Sequence, residues 1–287
     1  MIDDILAKFD GAFAPNTIRA YRSDFIQYEK WCIEQGIKPI PATADSIASY
    51  VDYLSHNAKS ATIRRRTNSL GTILKLSKHY DPTKEPEVIL ALKRMHRSIG
   101  RAQVQAAPLT KKLLKQLLGS CDNSSIGLRN KVLLRLGYET MRRRSELCAF
   151  RFEDISRSAN GKSVITLTFS KTDQYGMGKV IPISEELMSL LKDWGSVAGN
   201  EGYILRAINR HGHISDSLNP CSVSSILKRL QKSINDTSSK QLFSGHSFRV
   251  GAALDLLEQG ESLERIMLKG GWKTDAAAMK YLRNWYI

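Results

Sequence analysis

The chain has 287 residues, 43 of them Lys or Arg and 28 Asp or Glu, for a formal charge of +15. That length exceeds a typical single core, so two domains are expected, and 42% apolar with 25% charged side chains excludes a largely disordered chain. The longest apolar stretches run for a few residues, far short of a bilayer span, which leaves nucleic acid as the polyanion that the basic surplus fits.

The first residues, Met-Ile-Asp-Asp-Ile-Leu, are acidic and show no secretory signal. Cys32, Cys121, Cys148 and Cys221 are widely spaced with no CxxC pair, so neither a disulfide framework nor a zinc site is expected. A reducing cytoplasm fits that usage.

The first hundred residues are patterned as helices. Asn16 is placed to cap a helix with the apolar stripe Ile18, Tyr21, Phe25, Tyr28 and Cys32, stopped at Gly36. Thr43 or Asp45 opens the next, with Ile47, Tyr50, Val51 and Leu54 at i, i+3, i+4 and i+7. A third begins at Ser60 and carries Ile63, Leu70, Ile73 and Leu74, and a fourth starts near Pro86 and reaches Ser98. This predicts a four-helix domain over residues 1–100. From Gly100 to Pro108 the residues are small and lack helical patterning, so residues 101–108 are read as a linker to a second domain, 109–287. Residues 1–110 carry 16 basic and 11 acidic side chains and the remainder 27 and 17, so both halves are basic.

The second half is mixed. Thr110 is placed to cap a helix through Leu118, and helical patterns follow over 126–141 and 144–150. Ser163–Phe169 and Lys179–Ile183 are β-rich runs joined through Gly176 and Gly178, a hairpin in which Pro182 favours an edge strand. Helices resume at 185–194, 221–234, 246–258, 262–268 and 274–282. The expected class is therefore mostly α with a small antiparallel β component.

Four stretches stand out chemically. Thr140-Met-Arg-Arg-Arg-Ser-Glu-Leu147 sets Arg143 and Glu146 three apart. Lys171 falls where the first β-run ends. Gly245-His-Ser-Phe-Arg-Val-Gly251 sets His246 and Arg249 three apart, and Gly270-Gly-Trp272 precedes Tyr281 by nine residues. Taken singly, each has an ordinary structural use: a solvated arginine face, a helix cap, a strand-end lysine, core aromatics.

Taken together and in this order, they resemble the tyrosine recombinase, or phage integrase, family, and within it the Cre-type site-specific recombinases. The stretches Ser244-Gly-His-Ser-Phe-Arg-Val-Gly-Ala-Ala253 and Tyr281-Leu-Arg-Asn284 are especially similar, although many relatives have a second histidine where Trp272 stands. The resemblance spans the chain and implies a helical core-binding domain followed by an α+β catalytic domain. It implies that Arg143 and Arg249 clamp a phosphate and that Tyr281 is the nucleophile. Lys171 is then the hairpin lysine, His246 the box histidine, Trp272 a late hydrogen-bond donor and Glu146 an orienting acid. Arg143 is chosen from the Arg142–Arg144 run because it stands three before Glu146, in an Arg-x-x-Glu-Leu pattern.

The chemistry of such a set explains its residue types. Exchanging a phosphodiester for a phosphotyrosine builds charge on the non-bridging oxygens, and two guanidinium forks stabilise that charge without a metal. A tyrosine hydroxyl, with an ordinary pKa of about 10, needs a cationic site and a proton acceptor to attack, and the departing 5′ oxygen needs a proton that a hairpin lysine suits. With no acidic metal-ligand cluster and no P-loop in the sequence, no cofactor is expected. The expected partners are double-stranded DNA carrying inverted-repeat sites and, on that DNA, three further copies of the chain; no membrane role is expected. A prokaryotic, phage or plasmid setting, cytoplasmic and nucleoid-associated when bound, follows from the same resemblance.

Arg64, Arg65, Arg66, Lys93, Arg94, Arg97 and Arg101 are expected to touch DNA phosphates, which position a protein without reading sequence. The helix beginning near Pro220 resembles one that such enzymes lay in the major groove. One departure is the short run after Tyr281, in which Trp285 and Ile287 are candidates for a reduced intersubunit anchor and Tyr286 for a rival nucleophile. His211 and His213 are read as loop residues. Two other functions fit parts of the pattern: a DNA-binding accessory protein without catalysis, and a type IB topoisomerase-like enzyme that relaxes supercoils.

Overall fold

The computed structural model describes residues 2–168, 178–234 and 241–283, so Lys171, Trp285, Tyr286 and Ile287 lie outside the described residues. The chain forms two compact units, residues 1–104 and 105–287.

Five helices build the first unit: α1 (Ile2–Ala7), α2 (Pro15–Glu34), α3 (Ala44–Ser55), α4 (Ser60–Leu76) and α5 (Pro86–Ile99). The predicted stripes point inward, with Phe25, Tyr28, Cys32, Ile47, Tyr50, Val51, Ile63, Leu70 and Ile73 all buried in one core. Thr43 caps α3 by a reciprocal pair in which its hydroxyl accepts from the Ser46 N–H at 3.1 Å and the Ser46 hydroxyl accepts from the Thr43 N–H at 3.1 Å. Two expectations need correction. The helix of residues 15–34 is not capped by Asn16: Pro15 is its first residue and Ala14 its cap position, because the fixed φ of proline suits a helix start. Asn16 instead accepts from Arg19. The unit also has a fifth helix, α1, whose Ile2 and Leu6 are buried with Phe9 under α2. Six residues give too little periodicity to announce it.

The second unit contains α6 (Lys111–Ser120), α7 (Ser125–Thr140), α8 (Arg144–Ala149), α9 (Glu185–Ala198), α10 (Pro220–Ser233), α11 (Ser247–Glu258), α12 (Leu263–Gly270) and α13 (Asp275–Leu282). Its sheet has the order β1 (Ile155–Arg157), β2 (Ser163–Leu167), β3 (Lys179–Pro182). β2 and β3 pair antiparallel, with Val164 opposite Pro182 and Leu167 opposite Lys179. Proline therefore stands on an edge strand, where a missing N–H is tolerated. β1 was not expected from the sequence; three residues with two exposed carry no alternation to detect. His211 and His213 lie in a loop, both backbone N–H groups donating to the Asn209 side chain. No helix among the described residues is long and apolar enough to cross a membrane.

α11 runs through the centre of this unit. Ser247 to Ala253 are all buried, so the helix is covered on every side rather than on one face. The chain entering the unit is strapped along it. The Leu109 N–H donates to the Ser247 carbonyl at 3.0 Å, and the Lys111 N–H donates to the Asp255 carboxylate at 2.7 Å. Asp255 also accepts from the Tyr138 hydroxyl of α7. Between these ties the Leu109 backbone lies so close to Gly251 that an added Cβ would sit 1.9 Å from the Leu109 carbonyl oxygen. Gly251→Ala should therefore destabilise the protein by about 2–3 kcal/mol, the upper range for overpacking, as a lower midpoint of urea unfolding.

Candidate active site

The C-terminus of α7 organises the site. α7 ends at Met141, a non-glycine residue in the left-handed region at φ 53°, whose N–H returns to the Gly137 carbonyl. That reversal turns the chain so that Arg142, Arg143 and Arg144 leave in three directions. Arg144 is exposed, and Arg142 is 3% exposed. Arg143 stands just outside the helix that carries Glu146, at the cap position ahead of α8. Glu146, buried in the first turn, reaches back to it: its carboxylate accepts from the Arg143 backbone N–H at 3.1 Å and from Nη1 at 2.9 Å. The acid thus fixes both the backbone and the guanidinium of Arg143.

Arg249 lies on α11 and is 0% exposed. Its Nη1 donates to the Met141 carbonyl, while Nε and Nη2 are buried and meet no acceptor in full hydrogen-bond geometry among the described residues, although the Tyr281 side chain lies close enough to act on the guanidinium. Its guanidinium carbon stands 4.6 Å from the ring centroid of Trp272 and 5.3 Å from that of Tyr281. Trp272 and Tyr281 pack against each other at 4.9 Å, and the indole Nε1 is also buried and without a partner. Gly270 makes this possible, since a Cβ there would lie 2.0 Å from the Trp272 ring. His246, at the cap position of α11 and exposed, sets Nδ1 3.4 Å from the Tyr281 hydroxyl. The structure thus gathers Arg143, Glu146, His246, Arg249, Trp272 and Tyr281.

The electrostatics follow from burial. Desolvation pushes the Arg249 guanidinium below its ordinary value, nearby Tyr281 opposes the shift and Arg143 adds to it. Arg142 is pushed down to about 10, by burial first and then by Arg249, with Glu146 opposing. Lys179, at the start of β3, is lowered by burial, Arg142 and Arg249, and its ammonium donates to the Leu268 carbonyl of α12. A buried cation with two unmatched donors, beside an unmatched indole N–H, calls for an acceptor-rich anion.

Three residues near this cluster were not marked from sequence. Gln105, read as linker, donates from Nε2 to the Tyr281 carbonyl at 2.7 Å and accepts from Arg283. Arg142 entered only as a competing register, and Lys179 only as a strand residue. Apart from the Thr140 carbonyl beside Arg142, their partners are far off in the chain, so no local pattern identifies them.

The seven arginines and lysines proposed for DNA contact divide. Arg64, Lys93, Arg97 and Arg101 are exposed. Arg94 pairs with Asp52 at 3.1 Å while remaining 61% exposed. Arg65, itself exposed, and the half-buried Arg66 both turn toward Asp24, which is 1% exposed and also accepts from Ser69. Among the described residues no group of three or more His, Cys, Asp or Glu is placed to hold a metal ion.

The fold and the grouping of a tyrosine with buried arginines match the class of DNA strand-transfer enzymes, and comparison with known proteins shows the family. The chain is 29% identical over 283 residues to an "Integrase/recombinase xerD homolog" of Selenomonas ruminantium, covering 94% of this chain and 82% of that one. It is 27% identical over 292 residues to "Recombinase cre" of Escherichia phage P1, covering 95% and 85%. A lambda integrase tetramer bound to a Holliday junction shares the fold at a TM-score of 0.65 and 18% identity, covering 97% of this chain and 75% of that one. The model of the phage integrase family matches residues 108–286, and the chain belongs to that family, the tyrosine-type site-specific recombinases that cleave and rejoin DNA.

The unmatched donors of Arg249 make a stability prediction. Arg249→Met should leave the DNA-free protein at least as stable as wild type, or more stable by about 1 kcal/mol, because an incompletely paired buried cation is replaced by an apolar chain. Urea unfolding measures it; a loss of the size usual for core substitutions would mean that the guanidinium is paired.

Proposed function

We propose that the chain is a site-specific DNA recombinase that exchanges strands through a 3′-phosphotyrosine on Tyr281, working as a tetramer on paired inverted-repeat sites. The observation that carries this reading is the pair of unmatched buried donors of Arg249, with the Trp272 indole N–H, packed against Tyr281. A scissile phosphate supplies the missing acceptors. Arg143, fixed by Glu146, provides the second guanidinium fork.

In the forward step the Tyr281 oxygen attacks phosphorus and its proton passes to His246. The P–O5′ bond breaks, and Lys171 gives the leaving 5′ oxygen its proton. The phosphotyrosine retains the energy of the diester, so a 5′-hydroxyl from a second strand reverses the step and seals the exchange without ATP. The two guanidiniums and the indole stabilise charge on the non-bridging oxygens in both directions. The exposed basic residues of α4, α5 and the segment to Arg101 supply phosphate contacts, joined by α10 on the other unit, whose exposed face carries Ser225, Lys228, Arg229 and Lys232. The residues 1–100, 101–108 and 109–287 act in this reading as core-binding domain, connector and catalytic domain. The tetramer draws support from the relative that is bound as a tetramer to a Holliday junction.

Incubating the protein with sheared genomic DNA of the organism that encodes it should yield a covalent adduct, and sequencing the attached fragment gives the site. Tyr281→Phe should bind that fragment with unchanged affinity and form no adduct, as read on a denaturing gel. An adduct with this variant would move the nucleophile, Tyr286 being the first alternative. Lys171→Ala should bind normally and cleave roughly 100-fold more slowly, the size of a general-acid contribution. Binding without any adduct identifies an accessory protein, and supercoil relaxation without exchange between two sites identifies a topoisomerase.

A further inference from the structure

One buried arginine of the cluster has no part in the chemistry above. Arg142 spends its donors on the protein itself: Nε donates to the Thr140 carbonyl at 2.7 Å and Nη2 to the Lys269 carbonyl. Those two carbonyls share a character. Thr140 is the last residue of α7, and Lys269 lies in the last turn of α12, so both are helix-end acceptors at the negative pole of a helix dipole.

The end of α12 explains why Lys269 needs an outside donor. The chain there closes with Gly271 at φ 69°, its N–H bonding to Leu268 at 3.3 Å and the Trp272 N–H bonding to Met267 at 3.0 Å. That turn satisfies the Met267 and Leu268 carbonyls and leaves the Lys269 carbonyl open. Gly271 also leaves the space the guanidinium needs, since a Cβ there would stand 2.7 Å from Arg142 Nη1.

We infer that Arg142 is a positioning residue for strand cleavage, a single guanidinium that caps α7 and α12 together and so fixes the spacing between Arg143 and Trp272. It is joined directly in sequence to Arg143, and the helix end it holds leads through Gly271 into Trp272, against which Tyr281 and Arg249 pack. Both bonds require the planar fork: a lysine ammonium reaches one carbonyl but not both in the same geometry. Arg142 is held by neutral carbonyls, so it keeps its charge beside Arg249, and burial with that neighbour pushes its pKa down to about 10. Among the described residues no carboxylate bonds to this cation, an arrangement that is costly, and positional control over the clamp accounts for its presence.

The inference rests on the assignment of Arg143, Arg249, Trp272 and Tyr281 given above, and its test separates the two. The probe is a nicked duplex of the sequence recovered with the covalent adduct, at saturating concentration, with single-turnover adduct formation as the readout. Arg142→Met should lower the cleavage rate constant roughly 100-fold, the effect of a displacement of about 1 Å at a reacting centre, while DNA affinity stays within about twofold. The amplitude of the reaction should stay near wild type, because a purely structural lesion reduces the fraction of active protein rather than its rate. Arg142→Lys should fall between the two. If Arg142→Met does not fold, Arg142→Lys decides alone, a slowed rate supporting the inference and a wild-type rate overturning it. A wild-type rate in Arg142→Met, or a loss confined to amplitude, also overturns it while Tyr281→Phe still forms no adduct. An adduct in Tyr281→Phe, or none with wild type, overturns the underlying assignment and this inference with it.

Discussion

Two consecutive carbonyl oxygens at the end of α7 hold the two buried arginines of the candidate site. Thr140 accepts from Arg142 and Met141 from Arg249. Both acceptors face inward because Met141 takes a left-handed conformation, at a cost of about 1–2 kcal/mol for a residue other than glycine. That turn ends α7, aims Arg143 ahead of α8, and lets α11 bring its arginine to the same point. Around it the unit adds independent ties. Asp255 binds α7 through Tyr138 and the start of α6 through Lys111, while the Leu109 backbone lies against Gly251. A displaced α11 would carry Arg249 and His246 with it, so these contacts restrain the site without touching it.

The α12 end adds a second set of acceptors. Leu268 takes Lys179 from the base of the hairpin, and Lys269 takes Arg142. Strand, arginine turn and tryptophan turn are therefore fastened through helix-end carbonyls, where dipoles favour cations. In the proposed reaction such donors and acceptors are set before the phosphate arrives, which is the condition under which electrostatic stabilisation is most effective.

Much of this was legible in the sequence, and the gaps have physical causes. Long helices such as α2 and α4 reveal themselves because apolar residues recur every three or four positions and all face one core. The short α1 and β1 lack the repeats that make a period visible, and Pro15 outweighed the capping signal of Asn16. Arg143, Glu146, His246, Arg249, Trp272 and Tyr281 stood out by residue type and spacing, and the structure brings these six together. The supports did not stand out. Arg142 finds its second carbonyl, that of Lys269, 127 residues away, and Tyr138 finds Asp255 at a separation of 117, distances that only tertiary folding closes. The same limit hid the difference between Arg64 and its neighbours, since the run Arg64-Arg65-Arg66 does not disclose that Asp24 waits behind it.

That difference bears on what a surplus of positive charge means. In the first unit, Arg65 and Arg66 face a buried carboxylate that also takes the Ser69 hydroxyl, so part of their charge is cancelled within the fold. In the second, Arg142 and Arg249 sit on carbonyls, which satisfy N–H donors but carry no net charge. Among the described residues Glu146 is the acid that offsets them, and it is engaged with Arg143. The potential at the site therefore stays strongly positive although its arginines are buried, and a phosphate entering there meets donors that are satisfied only in part. Formal charge overstates the basic character of α4 and understates that of the pocket. Salt screens exposed charges over about 10 Å at 0.1 M but reaches buried ones weakly, so on the proposed function raising it weakens the grip of the surface residues on DNA far more than it alters the field acting on a phosphate in the pocket.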